Sequence, residues 1–161
     1  MTFREEKRDL FTVEGDRYLA HCIGGDYALG AGIALEFVKR YRMREKLNEK
    51  WPIPYLDSSK ISDTVDDSRD YGYYVGRALL VEDVFNLVTK KFSFGKPTYE
   101  MLMTCLYDME WHCRNLGIKK LAMPRIGCGL DRLKWERVRE MIKEVFADDD
   151  IDILVCYQKG E

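Results

Sequence analysis

The sequence is poor in the residues that force a specialised architecture. Proline occurs 4 times and glycine 12 times in 161 residues, which excludes collagen-like, low-complexity and disordered chains. Histidine occurs twice, and the 5 cysteines form no C-x-x-C pair. Zinc needs closer and more numerous ligands than His21 and His112 with scattered thiols, so no metal is expected. Cys105 and Cys113 fall in a helix-like stretch and Cys22 and Cys156 in strand-like ones, where cysteine behaves as a small hydrophobe. With an odd count that cannot pair fully, a reducing, cytoplasmic setting is the simplest expectation. No apolar run approaches the roughly 20 residues that span a bilayer. The start, Met1 to Arg8, is charged and has no signal-peptide apolar region, so no membrane partner is expected. Neither sign of charge dominates. The 26 Lys and Arg against 28 Asp and Glu leave a net charge of −2, which argues against a nucleic-acid coat but leaves room for a local basic patch.

What is present has globular proportions, with 46% hydrophobic and 34% charged residues. Residues 1–161 read as one domain, long enough to bury roughly two thirds of its unfolded surface without metal or disulfide. Short apolar runs alternate with helical periods. Residues 18–23 read as a buried strand stopped by Gly24-Gly25, and Ile33, Ala34, Phe37, Val38 and Tyr41 place an amphipathic helix over about 31–48. Residues 49–74 hold Pro52, Pro54 and a polar run, and read as a long surface insertion. Strands come next at Tyr73–Leu80 and Val84–Val88. A helix with Pro97 in its first turn and Gly117 as its stop is succeeded by a strand over 118–123. A helix from Trp135 to Val145 and a strand from Ile151 to Tyr157 close the pattern. This order predicts an α/β sandwich around a largely parallel sheet.

In such sheets ligands bind beyond the carboxyl ends of the strands. The run Gly24–Gly32 after the first buried strand and Pro124–Asp131 after the 118–123 strand both carry glycines and both lead into helices. Glycine permits close backbone approach, and unpaired N–H groups at a helix start favour an anion, so the two loops together suit a diphosphate. Tight strand-to-helix turns remain the alternative reading. Neither loop matches the P-loop or G-x-G-x-x-G patterns, which disfavours kinases and nicotinamide enzymes.

The block Met123-Pro124-Arg125-Ile126-Gly127-Cys128-Gly129-Leu130-Asp131-Arg132-Leu133 with Trp135-Glu136 closely resembles the macrodomain hydrolases of the terminal ADP-ribose protein glycohydrolase type. Three further blocks match in order: 19–23 with 30–34, Val88–Lys91, and Lys96–Glu100. The resemblance implies a three-layer α/β/α macrodomain with a mixed, largely parallel central sheet. It also implies a ligand, ADP-ribose, and a substrate, mono-ADP-ribosylated protein, with no cofactor; a monomer is the expected assembly state. It places Asp9 at the adenine amino group with Leu10 beside it, and Tyr157 or Gln158 over the adenine. Ile23, Gly24, Gly30, Ala31, Gly32 and Ile33 would face the diphosphate and distal ribose. Arg125, Ile126, Gly127, Cys128, Gly129 and Leu130 would do so from the other loop. Lys90 matches the catalytic lysine and Asp131 the catalytic aspartate. The family relative carries a serine where this chain has Gly24, so one hydroxyl beside the distal ribose has no counterpart at that position.

The chemistry is coherent. A free lysine amine attacks the aldehyde-like anomeric carbon of an opened ribose to form a Schiff-base-type adduct, and a carboxylate shuttles the protons. Lys91 is the candidate cation that would favour a free amine on Lys90. Plainer roles stand beside these. Lys90 reads equally as a solvated strand-end charge, Asp131 as a helix N-cap, Asp9 as the end of a first strand and Arg125 as a loop support. Cys128 with His21 or His112 as a thiol hydrolase is disfavoured against structural roles for all three. The basic residues 39–50 read as a solvated helix face. Three rival functions remain: a non-catalytic ADP-ribose reader, a hydrolase acting on O-acetyl-ADP-ribose or ADP-ribosylated DNA, and a nucleic-acid binder indifferent to ADP-ribose.

Overall fold

A computed structural model of the chain describes residues 1–56 and 68–158. Six strands form one sheet: β1 (Thr2–Lys7), β2 (Tyr18–Gly24), β3 (Ala78–Val81), β4 (Val84–Lys90), β5 (Lys120–Met123) and β6 (Asp152–Tyr157). Their spatial order is β1-β6-β5-β2-β4-β3. Every neighbouring pair is parallel except β3 with β4, a hairpin that turns the far edge antiparallel. The helices are α1 (Gly32–Tyr41), α2 (Met43–Lys50), α3 (Tyr99–Leu116) and α4 (Trp135–Val145).

Strand side chains alternate between two cores, as a pleated sheet covered on both faces requires. Ala20, Phe85, Ile153 and Val155 join one core with α3 and α4, through Leu106, Met109, Val138 and Ile142. Leu19, Val84, Val88 and Leu154 join the other with α1 and α2, through Phe37, Met43 and Leu47. The result is the expected three-layer α/β/α sandwich.

Several local expectations are corrected. The helix expected over 31–48 is two helices joined at Arg42, which takes a left-handed conformation with φ of 56°. In a continuous helix Met43 and Leu47 would sit about 240° and about 280° around the axis from Phe37. The break lets all three enter the same core. The strand expected from Tyr73 begins only at Ala78; residues 71–76 form turns that end at Gly76, with φ of +93°. Pro97 precedes the cap of α3 rather than entering its first turn, because Thr98 accepts the Met101 N–H at 3.1 Å. Of the polar insertion, residues 57–67 lie outside the described residues. Residues 49 and 50 belong to α2, and residues 51–53 are anchored to the body of the fold. Ile53 is buried, and the Trp51 indole donates to Leu80 O at 3.1 Å. Asp9 does not end β1; it caps a short 3-10 turn over Leu10–Thr12 by accepting the Phe11 N–H. Asp131 is not the cap of α4, whose preceding residue is Lys134.

His21 sits in mid-β2, fully buried, stacked on Phe37 at 4.0 Å and 2.6 Å from Asn86 Oδ1. Asn86 in turn donates to Leu79 O, so this pair joins β2, β4 and β3 beneath α1. Burial lowers the imidazole from 6.5 to about 4, against the opposing pull of the Asn86 hydrogen bond. Because the unfolded chain takes up the proton first, the neutral ring stabilises the fold fully above pH 6.5 and loses that contribution as pH falls towards 4. Wild type is therefore expected to lose about 3 kcal/mol more than His21→Gln between those pH values, measured by urea unfolding at each pH.

Candidate functional site

The five mutually parallel strands aim their carboxyl ends the same way, and the loops after β2, β4 and β5 enclose a cleft of about 1130 Å³. One wall is built by Ile23 and Gly24 at the end of β2 and by Gly30, Ala31, Gly32 and Ile33 at the start of α1. Ala31 is the residue before α1 and supplies no side-chain cap, so the first N–H groups of that helix have no side-chain acceptor from the cap residue. The opposite wall is the loop after β5, contributing Arg125, Ile126, Gly127, Cys128, Gly129, Leu130 and Asp131. This loop folds back on itself: Leu133 N donates to Gly127 O at 2.7 Å, and Gly127 takes a φ of 75°, which glycine adopts without strain.

Lys90, the last residue of β4, meets Asp131 between these walls. Its Nζ lies 2.5 Å from Asp131 Oδ1, and the two side chains are 13% and 15% exposed. Lys91, the candidate neighbouring cation, is exposed and lies 5.3 Å from the Phe92 ring centroid. The group that the structure sets against Lys90 is thus a carboxylate.

A second cavity of about 410 Å³ adjoins the cleft and shares Ile33 and Pro124 with it. Asp9, Leu10 and Gln158 line it. Tyr157 lines neither cavity; its ring carries the Arg125 guanidinium at 4.3 Å. Arg125 therefore both lines the cleft and braces it, with Nη2 3.9 Å from Glu5 Oε1. Glu5 also accepts from the Trp135 indole at 2.7 Å and from Arg139 Nε at 2.9 Å. Burial pushes the Glu5 carboxyl up, but the bonds from Arg139 and Trp135 and the charge of Arg125 outweigh it, holding the group below its ordinary value.

The histidines lie outside the cleft, and the two thiols that line it, Cys22 and Cys128, are shielded from water or already hydrogen-bonded. Neither His21 nor His112 lines the cleft, and His112 lies 3.7 Å from Asp108. The Cys128 thiol donates back to Ile126 O at 3.3 Å, and burial pushes the Cys22 thiol well above its ordinary value. Sequence reasoning missed the loop between β4 and α3, where Ser93, Phe94, Gly95 and Lys96 form the third side of the cleft. Lys96 Nζ reaches across to Leu130 O at 3.0 Å. It also missed Trp135 and Arg139 as lining residues and Glu5 as their anchor.

Gly25, just after β2, packs tightly against the end of β4 and the turn at Tyr71. Its N–H donates to Lys90 O, and a Cβ there would lie 1.9 Å from the backbone oxygen of Tyr71. Gly25→Ala is expected to cost about 2 kcal/mol and lower Tm by about 5 °C. Gly15→Ala, where a Cβ meets nothing within 4 Å, should leave Tm nearly unchanged by the same calorimetry.

No protein-family model matches the chain. Individual relatives do. The chain is 43% identical over 150 residues to the ADP-ribose glycohydrolase OARD1 of Homo sapiens, covering 92% of this chain and 87% of that one. Among solved structures, the macrodomain of Mycobacterium tuberculosis DarG superposes with a TM-score of 0.74 at 21% identity, over 96% of this chain and 97% of that one. Thermosipho africanus DarTG, solved in complex with ADP-ribose, superposes with a TM-score of 0.69 at 15% identity, over 99% of this chain and 42% of that one. Identity at the level shared with the human protein, sustained over 92% of the chain, means that the chain belongs to the macrodomain family, in the branch of the ADP-ribose glycohydrolase OARD1.

Proposed function

We propose that this protein is an ADP-ribose glycohydrolase that removes mono-ADP-ribose from an acidic side chain, with Lys90 as nucleophile and Asp131 as acid and base. The hydrolase class follows from its named relatives. The lysine mechanism is supported above all by one observation, the contact of Lys90 Nζ with Asp131 Oδ1 at 2.5 Å inside the cleft. A module that only held ADP-ribose would have no need of that pair.

The cleft and its adjoining cavity offer an extended ligand a path from Asp9 and Leu10 at one end to Lys90 at the other. The first N–H groups of α1 and the loop Gly127–Gly129 face the middle of that path, where a diphosphate fits. With the distal ribose beside Lys90, transfer of one proton from Nζ to the Asp131 carboxylate leaves a free amine and a carboxylic acid. The amine then bonds to C1 as the acceptor leaves with the electron pair of its own bond to C1, and the ring bond from C1 to O4′ opens as a proton passes from the nitrogen to O4′, leaving a protonated imine. Water adds to C1 of the imine, the C–N bond breaks to leave an aldehyde that closes again to ribose, one proton from the water passes to solvent, and the lysine regains its own from the Asp131 acid.

Lys90→Ala and Asp131→Asn are each expected to slow ADP-ribose release from glutamate-linked mono-ADP-ribosyl protein by about 100-fold or more. Binding of free ADP-ribose, monitored by calorimetry, should stay within a few-fold of wild type. Wild-type turnover in Lys90→Ala would contradict the mechanism. Binding without release by the wild type would make the protein a reader.

A further inference from the structure

Ser93 occupies the place that a side chain on Gly24 would take. A Cβ built on Gly24 would lie 2.7 Å from Ser93 N and 2.9 Å from Ser93 Oγ, so glycine at the end of β2 and serine in the β4–α3 loop are one arrangement. Gly24 pairs with Lys90 across the sheet, and both Gly24 and Ser93 line the cleft. The Ser93 hydroxyl thus stands beside the strand end that carries the Lys90 amine.

This hydroxyl is held in a defined state. Ser93 Oγ donates to Asp26 Oδ1 at 2.5 Å, and Ser93 N donates to Asp26 Oδ2 at 3.0 Å. Asp26 Oδ1 also accepts the Ala28 N–H at 3.1 Å, which ties the Ser93 loop to the glycine loop between β2 and α1. With its one proton committed to a carboxylate, Ser93 Oγ has only lone pairs left to offer. It is therefore an acceptor, fitted to a ligand O–H and unsuited to a phosphate oxygen.

We propose that Ser93 Oγ, set over Gly24 and beside Lys90, accepts a hydrogen bond from a hydroxyl of the ligand's distal ribose and so makes the cleft selective for the sugar that reacts. The assignment rests on the reading of the cleft as an ADP-ribose site. It places on the β4–α3 loop a contact that residue 24 cannot make in this chain, since any side chain there meets the Ser93 backbone.

Calorimetry with ADP-ribose and with ADP, which ends at the diphosphate, tests this on the full chain. Ser93→Ala is expected to bind ADP-ribose about tenfold more weakly, as loss of one fixed hydrogen bond implies, and ADP within twofold of wild type. Ser93→Thr, which keeps the hydroxyl, should restore most of the ADP-ribose affinity. Unchanged ADP-ribose affinity in Ser93→Ala would overturn the assignment. Equal losses for both ligands would also overturn it, because they would mark a loop support. Failure of the wild type to bind ADP-ribose at all would instead overturn the reading of the cleft itself.

Discussion

The site depends on one ion pair. Lys90 ends a strand buried along most of its length, Asp131 ends the glycine loop after β5, and neither charge is more than slightly exposed. A charge so largely shielded from water is costly without a partner, so the fold holds the two together. It does so through the sheet. β4 lies parallel to β2, and the register shifts between Ile23 and Gly24, which brings Gly24 opposite Lys90. On the other side of β2, β5 delivers Met123 and Pro124, from which the loop swings back to place Asp131 over the β4 end. The same contact sets an amine against a carboxylate inside the cleft, where the loops after β4 and β5 converge.

Around the pair, the protein uses backbone rather than side chains. Gly24, Gly25, Gly32 and Gly127 each stand where a Cβ would meet a neighbour or where the chain takes a positive φ. The side chains that do enter the cleft are braced from behind. Glu5, on the edge strand β1, gathers Arg125, Trp135 and Arg139, and Asp26 gathers Ser93 and the start of the glycine loop. The walls are thus fixed by charged and amide hydrogen bonds at the strand ends, while the two apolar cores fix the sheet beneath them.

Much of this is legible in the sequence where a pattern repeats or a residue has a single use. The helical period of α3 and α4 and Gly117 as a left-handed stop read correctly because each reports a local backbone requirement, and the two glycine loops, expected at strand ends, both line the cleft. The break at Arg42 does not, since Met43 and Leu47 fall on the wrong side only after the helix phase is traced past Tyr41. The aromatic run from Tyr73 imitates a strand, and only its packing reveals a turn. Ser93 carries no signal of its own; its role depends on Gly24, nearly 70 positions earlier and adjacent only in space. Asp131 is found by its neighbours in the motif, but the helix-cap role that its position suggests is not the one it has.

The central claim, that the Lys90 amine reacts at the sugar's anomeric carbon, is open to direct observation by trapping the adduct. The protein is incubated with mono-ADP-ribosylated substrate and sodium cyanoborohydride, digested, and its peptides are weighed. Reduction of the imine should fix the ADP-ribosyl mass on the peptide containing Lys90, and Lys90→Arg should carry none. Full turnover with no trapped mass at Lys90, or the mass on another residue, would contradict it.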